Sequence, residues 1–209
     1  DALFDLLRSY GLLVKKTKRF HITTDSKHFF FKSPNLLKDL TLSHAEQVFV
    51  SDITYVKSRK KTHYLSLVTD AYSRKIMGFK LSDDMSAENV VQAFKMAIKH
   101  RNYKDKLIHH SDRGLQYCAA IYQKALAKNK VKPSMTDGYD CYQNALAERI
   151  NGILKQEFLI YKCNNAKELN KLVKESIETY NNKRPHLSLN MKTPNFIHNK
   201  KPEKLTSLV

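Results

Sequence analysis

Apolar positions in this chain alternate in some stretches and recur every three or four residues in others, and the order of these stretches predicts most of its elements. In VFVSDITYVKS, Val48, Val50, Asp52, Thr54 and Val56 fall on one side of an extended chain, and Phe49, Ser51, Ile53 and Tyr55 on the other. That is a strand, and it carries an aspartate on an otherwise apolar or β-branched face. HYLSLVTDAYSRKIMGFKLS reads as two further strands joined at about Asp70 to Arg74, a hairpin beside the first. Ser86 is placed to cap a helix whose Val90, Val91, Phe94, Ala97 and Ile98 form one apolar stripe. A short strand from Lys106 to His110 follows, then a helix from about Ala119 to Lys130 and an extended piece around Pro133 to Met135. After the polar loop TDGYDCYQ, one long helix is expected from about Asn144 to Phe158. A second is expected from Ala166 to Asn181, with Leu169, Leu172, Val173, Ile177 and Tyr180 inward. Strands first, then helix and strand in alternation, then helices, predict a mixed sheet covered by helices, an α/β layered domain.

The ends differ from this middle. Leu3, Leu6 and Leu7 are spaced for a short N-terminal helix, with Gly11 placed to cap it. From Lys15 to about Gln47 the periodicity is weak, and so long a connector fits a boundary. The expected division is 1–47 for helix plus connector, 48–198 for the core and 199–209 for a tail. The chain opens without methionine on a helix already under way, so a preceding N-terminal piece is expected.

Composition narrows the function. An apolar fraction of 42% over 209 residues allows one domain with a sizeable core and excludes wholesale disorder. Against 20 acidic residues stand 37 Lys and Arg, a formal net charge of +17. Such an excess marks a binder of polyanions, with nucleic acid the leading candidate and an anionic membrane the other. No apolar run approaches the roughly 20 residues of a membrane-spanning helix, and no signal peptide opens the chain, so no membrane partner and a cytoplasmic setting are expected. Cys118, Cys141 and Cys163 form no CxxC pair, which argues against a disulfide framework and against structural zinc. The adjacent His109 and His110 lack the cysteine or i, i+4 partners that a zinc site needs.

Three carboxylates carry the candidate chemistry. Asp52 on a buried-type strand face is costly unless paired with a cation or bonded to a neighbouring hydroxyl such as Ser51 or Thr54. Asp112, in HHSDRGLQY at the end of the next strand, fits either a turn aspartate or a metal ligand. At 100° per residue Asn144, Glu148, Gly152 and Lys155 share one helix face, away from Leu146, Ile150 and Ile153. Alone, Glu148 reads as a solvated glutamate. Between Asp52 and Asp112 lie 59 residues, and between Asp112 and Glu148 lie 35.

These stretches, together with SDITYV, YLSLVTDAYSRKIMGF, SMTDGYDCYQNALAERINGILKQE and YNNKRPHLSLNMKTP, resemble the bacterial insertion-sequence transposases of the orfB type, whose catalytic core is similar to retroviral integrase. The resemblance runs from about Val48 to Phe196, and the N-terminal part resembles the tail of that family's helix-turn-helix region. It implies a ribonuclease H-like fold and a catalytic and metal-binding triad of Asp52, Asp112 and Glu148. It also implies two Mg²⁺ or Mn²⁺ ions, with Asp52 touching both, Asp112 one and Glu148 the other. The activity implied is cleavage at element ends and transfer of the 3′-hydroxyl to another strand, in a homo-oligomer assembled on DNA at the nucleoid. Lys155, Asn144, Arg113 and Asn151 are the residues expected to meet DNA, with Asn144 alternatively orienting Glu148 or simply starting its helix. His110 is placed to support Asp112. Tyr180, Asn181, Arg184, His186 and Leu189 are expected to fold the tail onto the core. Three positions depart from the family pattern: Phe49 stands for the usual tryptophan, Gln143 for the customary aspartate, and the glycine of TDGYDCYQN comes one place early. A catalytically inactive DNA-binding remnant and a general nuclease are the alternative readings.

Overall fold

The computed structural model describes residues 2–13, 29–103, 105–137 and 144–200. Five strands, β1 (Val48–Lys57), β2 (Thr62–Asp70), β3 (Ile76–Ser82), β4 (Ile108–Ser111) and β5 (Lys132–Met135), form one sheet in the order β3-β2-β1-β4-β5. The meander β1-β2-β3 is antiparallel, as the short connections dictate, whereas β4 and β5 run parallel to β1 because a helix intervenes each time. The alternation along β1 divides two cores. Phe49 and Ile53 pack beneath α2 (Ala87–Lys99), α3 (Leu115–Cys118) and α4 (Ala120–Lys128) with Phe94, Tyr117, Tyr122 and Leu126. Val56, Leu65 and Leu67 pack on the other side beneath α5 (Ala145–Ile153) and α6 (Ala166–Asn182), with Ile150, Leu169, Val173 and Tyr180. Gly78 lets α2 lie directly on β3, since a Cβ there would stand 2.2 Å from the Ala93 carbonyl oxygen.

Several elements differ from expectation. A short helix, α3, precedes α4, because Gly114 restarts a helical turn that Ala119 interrupts in an extended conformation. The helix expected to run to Phe158 is α-helical only to Ile153. It then widens into a π-helical turn over Leu154–Phe158, closed by the i to i+5 bond from Leu159 N–H to the Leu154 carbonyl at 2.8 Å. The connector is knitted into the core over its second half: Leu36 N–H donates to Ser134 Oγ at 2.9 Å, Met135 N–H to the Pro34 carbonyl at 3.4 Å, and Leu37 and Leu42 join the cluster of Val48 and Val50. Residues 14–28 of that connector, and the loop residues 138–143 with Gln143 and Cys141, lie outside the described residues. Helix α1 (Ala2–Ser9) forms where the leucine spacing places it, with Gly11 beyond it at φ 66°.

The C-terminal block packs as expected. Asn181 bridges the backbone of Ile76 with both amide atoms at 2.9 Å, Tyr180 Oη donates to the Arg74 carbonyl, and Arg184 makes a bidentate pair with Glu157. Helix α7 (Pro194–Asn199) then sets His198 into a closed network that the residue pattern did not announce. Glu46, Asp70, Ser73 and His198 are all fully buried. His198 Nε2 donates to Glu46 at 3.1 Å; its Nδ1 donates to Ser73 Oγ at 3.0 Å, and Ser73 in turn donates to Asp70. Both ring nitrogens act as donors, so the ring is an imidazolium held by two carboxylates. Burial works against the charge, but the bonds to Asp70 and Glu46 outweigh it and raise the His198 pKa. For Glu46, burial is outweighed by His198 and by the backbone N–H groups of Asn102 and Tyr103, and its pKa falls.

The signs set a window. The His198 contribution is complete below its ordinary value of 6.5 and is lost as pH rises through the raised one. That of Glu46 is complete above 4.5 and is lost as pH falls through the lowered one. The difference in melting temperature between wild type and His198→Ala should therefore be largest between about pH 4.5 and 6.5, where removal of one buried partner costs about 3–5 kcal/mol. Thermal unfolding of both proteins across that range tests this, and a pH-independent difference refutes the imidazolium.

Candidate active site

Strand register brings the first two carboxylates together. Val50 of β1 pairs with His110 of the parallel strand β4, so two residues further on Asp52 and Asp112 stand abreast, with the parity that puts both on the face covered by α5. Asp112 lies just past the end of β4, and its Oδ1 accepts the Gly114 N–H at 3.0 Å. It holds a turn and also presents a carboxylate beside Asp52.

Helix α5 contributes the third. Asn144 Nδ2 donates to the Ser51 carbonyl at 3.1 Å, and Asn151 Nδ2 donates to Asp52 Oδ2 at 2.7 Å. These bonds anchor the helix to β1 about one turn before and one turn after Glu148. The inward stripe of α5 and the π turn is Ala147, Ile150, Asn151 and Leu154, one position away from the stripe expected from Leu146, Ile150 and Ile153. Glu148 therefore lies at the exposed edge of the buried face rather than in the middle of a wet one.

Electrostatics show that the three groups share one locality. Burial, then the charges of Asp112 and Glu148, push the Asp52 carboxyl up to about 7, against the opposing bonds from the Ile53 backbone and Asn151. Glu148 is raised by burial and by Asp112. The arrangement is open: among the described residues no three His, Cys, Asp or Glu side chains approach closely enough to enclose a metal ion. Its chemistry still suits one, since the donors are hard carboxylate oxygens whose mutual repulsion a divalent cation would relieve.

The residues expected to meet DNA divide into two kinds. Lys155 is exposed on the π turn, its ammonium pKa lowered by burial and partly restored by the charge of Asp52. Asn144 and Asn151, by contrast, are only 5% and 3% exposed and are turned into the site, where their amides bond β1. Arg113 donates from Nε to the Thr136 carbonyl and lies 3.8 Å from Asp137, tying the Asp112 turn to the end of β5.

Beneath the carboxylates runs a buried polar layer that the residue pattern missed. His109 Nε2 is 2.8 Å from both Ser51 Oγ and Tyr122 Oη, and burial pushes its pKa down to about 3, so the ring is neutral. His110 Nδ1 meets Ser134 Oγ at 2.9 Å. His109 thus ties β4 to β1 and to α4, and His110 ties β4 to β5.

The order of the strands and the covering helices agree with what comparison with known proteins finds. Residues 43–141 match a family described as Integrase core domain, and residues 129–194 match a second model of that description. The chain belongs to the integrase core family. It is 36% identical over 197 residues, 93% of its length, to the Insertion element IS600 uncharacterized 31 kDa protein of Shigella sonnei, of which it spans 72%. It is 36% identical over 152 residues to Transposase InsF for insertion sequence IS3A of Escherichia coli K12, and spans 53% of that protein. The fold is the ribonuclease H-like one of integrase cores. Solved structures that share it include the HTLV-2 integrase catalytic core domain in complex with magnesium, with TM-score 0.62, 22% identity, and coverage of 74% of this chain and 97% of that one. A simian T-cell lymphotropic virus intasome shares it with TM-score 0.67, 17% identity, and coverage of 85% and 62%. Among the described residues no helix of this integrase core is long and apolar enough to cross a membrane.

Proposed function

We propose that this chain is the catalytic core of an insertion-sequence transposase, cleaving DNA at element ends and joining the resulting 3′-hydroxyl to a target strand. The observation that carries the reading is that Asp52 and Asp112 stand abreast at the end of two parallel strands of an integrase core, with the Asp52 carboxyl raised by burial and by the charges of Asp112 and Glu148. The identity to the IS600 and InsF proteins supports the substrate class, and the magnesium of the HTLV-2 integrase core supports the metal. Asp52, Asp112 and Glu148 would hold two Mg²⁺ or Mn²⁺ ions, Asp52 facing both. Bound there, such ions activate the attacking oxygen, stabilise the leaving one and neutralise charge on the phosphodiester.

The protein's own groups do the rest. Asn151 orients Asp52, and Asn144 fixes the start of α5 so that Glu148 faces the strands. Both act through these partners rather than by touching DNA. Lys155 draws a phosphate toward the cleft, and Arg113 holds the loop on which Asp112 sits. No side chain forms a covalent bond to DNA. The protein works as a homo-oligomer that holds both element ends and a target at the nucleoid.

A reaction with DNA labelled at its 3′-ends, with and without Mg²⁺ or Mn²⁺, tests the reading. Metal-dependent joined products support it. Cleavage without joining makes the protein a nuclease, and binding without either makes it a non-catalytic DNA binder. Binding itself should weaken steeply between about 50 and 200 mM salt, because each phosphate contact releases a counterion. Lys155→Ala should lower the slope of log affinity against log salt by about one and weaken binding uniformly across sequences. A flat salt response in a fluorescence anisotropy titration would count against a phosphate-led interface.

A further inference from the structure

The tip of the β1–β2 hairpin and the loop after the π turn form one basic edge. Arg59 N–H donates to the Cys163 carbonyl at 2.8 Å, and Cys163 packs in the same core as Val56, so residues 57–61 and 160–163 lie side by side. Both segments are exposed. The hairpin presents Lys57, Arg59 and Lys60, and the loop presents Ile160, Tyr161 and Lys162, with Ile160 61% and Tyr161 71% exposed. The tip is also braced from within. Ser58 N–H donates to the Lys61 carbonyl at 3.0 Å, and Ser58 Oγ lies 3.0 Å from His63 Nε2. His63 Nδ1 meets one Asp83 oxygen at 2.6 Å, and Lys61 pairs with the other at 2.7 Å. His63 is 1% exposed, so a buried ring fixes the turn.

The edge carries charge that nothing on it cancels. Among the described residues Lys57, Arg59, Lys60 and Lys162 form no ion pair and no side-chain hydrogen bond. The carboxylates that these segments do meet are engaged, Asp83 by Lys61 and His63, and Glu168 by the backbone and side-chain amides of Asn164. Uncancelled cations beside an exposed isoleucine and tyrosine, on a braced turn, suit a polyanion in which phosphates alternate with sugars. The edge also continues the cleft: Lys155, exposed on the π turn and within reach of the Asp52 charge, lies seven residues before Lys162. We propose that this edge docks the backbone of duplex DNA on its way to the carboxylates. Five residues of β1 separate Asp52 from Lys57. At about 3.3 Å per residue, with the turn beyond, the tip stands about 20 Å from Asp52, or about six base pairs along a duplex. Because the turn is held before DNA arrives, little backbone order is left to impose on binding. The inference rests on the catalytic reading above only for where the reacting phosphate lies.

Anisotropy titrations of the whole chain on a duplex of about two helical turns, in EDTA and over a range of salt, test the edge. Arg59→Ala/Lys60→Ala/Lys162→Ala should lower the slope of log affinity against log salt by about three and weaken binding at least about tenfold. Lys60→Ala alone, at the tip, should lower the slope by about one, and it carries the test if the triple variant melts lower than wild type. A control, Lys95→Ala/Lys124→Ala/Lys128→Ala, removes as much charge from exposed positions of α2 and α4 across the sheet and should leave the slope nearly unmoved. An unchanged slope in the edge variants overturns the inference. An equal fall in the control overturns it too, since the effect is then one of net charge. So does binding to vesicles rich in phosphatidylserine that the triple variant loses while its duplex affinity stays at the wild-type value. Strand joining by wild type with Mn²⁺ is scored separately. Joining together with an unchanged slope in the variants removes the edge and leaves the catalytic core standing, whereas a reduced slope in a chain that never joins DNA keeps the edge and removes the catalytic core.

Discussion

An Asp112→Asn protein is expected to bind DNA as tightly as wild type, or tighter, and to join no strands. The substitution separates the two jobs of this side chain. Asparagine keeps a carbonyl oxygen for the Gly114 N–H, so the turn after β4 and the start of α3 should survive, along with the Arg113 tether to Thr136. It removes the charge that would hold a cation beside Asp52. Loss of metal-assisted charge stabilisation amounts to several kcal/mol, and at about 1.4 kcal/mol per tenfold the rate should drop by at least about a thousandfold. DNA affinity rests on the basic surface and gains slightly from the loss of one negative charge near the phosphates. Asp112→Ala provides the contrast: it should be equally inactive but also less stable by about 1 kcal/mol, because the turn bond goes too. Single-turnover strand transfer and anisotropy titrations on the same preparations decide the matter. Joined product from Asp112→Asn within tenfold of wild type would remove Asp112 from the site.

How much of this was legible in the residue pattern depends on what each residue's neighbours are. The strand alternation around Asp52 and the inward stripe of α2 were readable because burial on a repeating face leaves a period. The 35-residue gap before Glu148 takes a meaning only from the family resemblance, since spacing alone leaves Glu148 a solvated glutamate. The apolar stripe of α5 came out one position off, because Asn151 is a polar residue on a buried face, where it bonds Asp52; hydropathy alone moves it outward. The π turn at Lys155 widens the helix over Leu154–Phe158, a stretch that holds no glycine or proline of its own. The Glu46, Asp70 and His198 network joins residues 152 positions apart, and each of them alone reads as an ordinary polar residue. Glu46 even takes φ 66°, a conformation that its residue type does not announce. What sequence conveys poorly here is therefore polar burial, since a buried amide or imidazolium is justified only by partners brought close by the fold.

Asp52→Asn should raise the stability of the metal-free protein while abolishing its chemistry. The Asp52 carboxyl has an ordinary value of 3.8 and is pushed up to about 7 in the folded chain by burial and by Asp112 and Glu148. A group raised on folding contributes stability that is complete below the unfolded value and lost as pH climbs through the folded one. Between about pH 3.8 and 7 the wild-type protein should therefore lose stability relative to Asp52→Asn, with the deficit complete above pH 7. At about 1.4 kcal/mol per unit, and allowing for solvent screening of a side chain that is only partly enclosed, the deficit is roughly 2–4 kcal/mol. For a chain of this size that is on the order of 5–10 °C in melting temperature. Asparagine retains an oxygen for the Asn151 amide, so the α5 anchor need not be lost with the charge. The comparison in EDTA isolates repulsion among the acids, and adding Mn²⁺ should then stabilise wild type while leaving Asp52→Asn nearly unmoved, closing or reversing the gap. Melting curves at several pH values with and without metal make the test. A wild type more stable than Asp52→Asn in EDTA at pH 7.5 would show that the carboxylates do not strain one another, and equal Mn²⁺ responses would show that they do not hold the ion. Either result would leave Asp52 as a strand aspartate tied to Asn151, with no catalytic centre built around it.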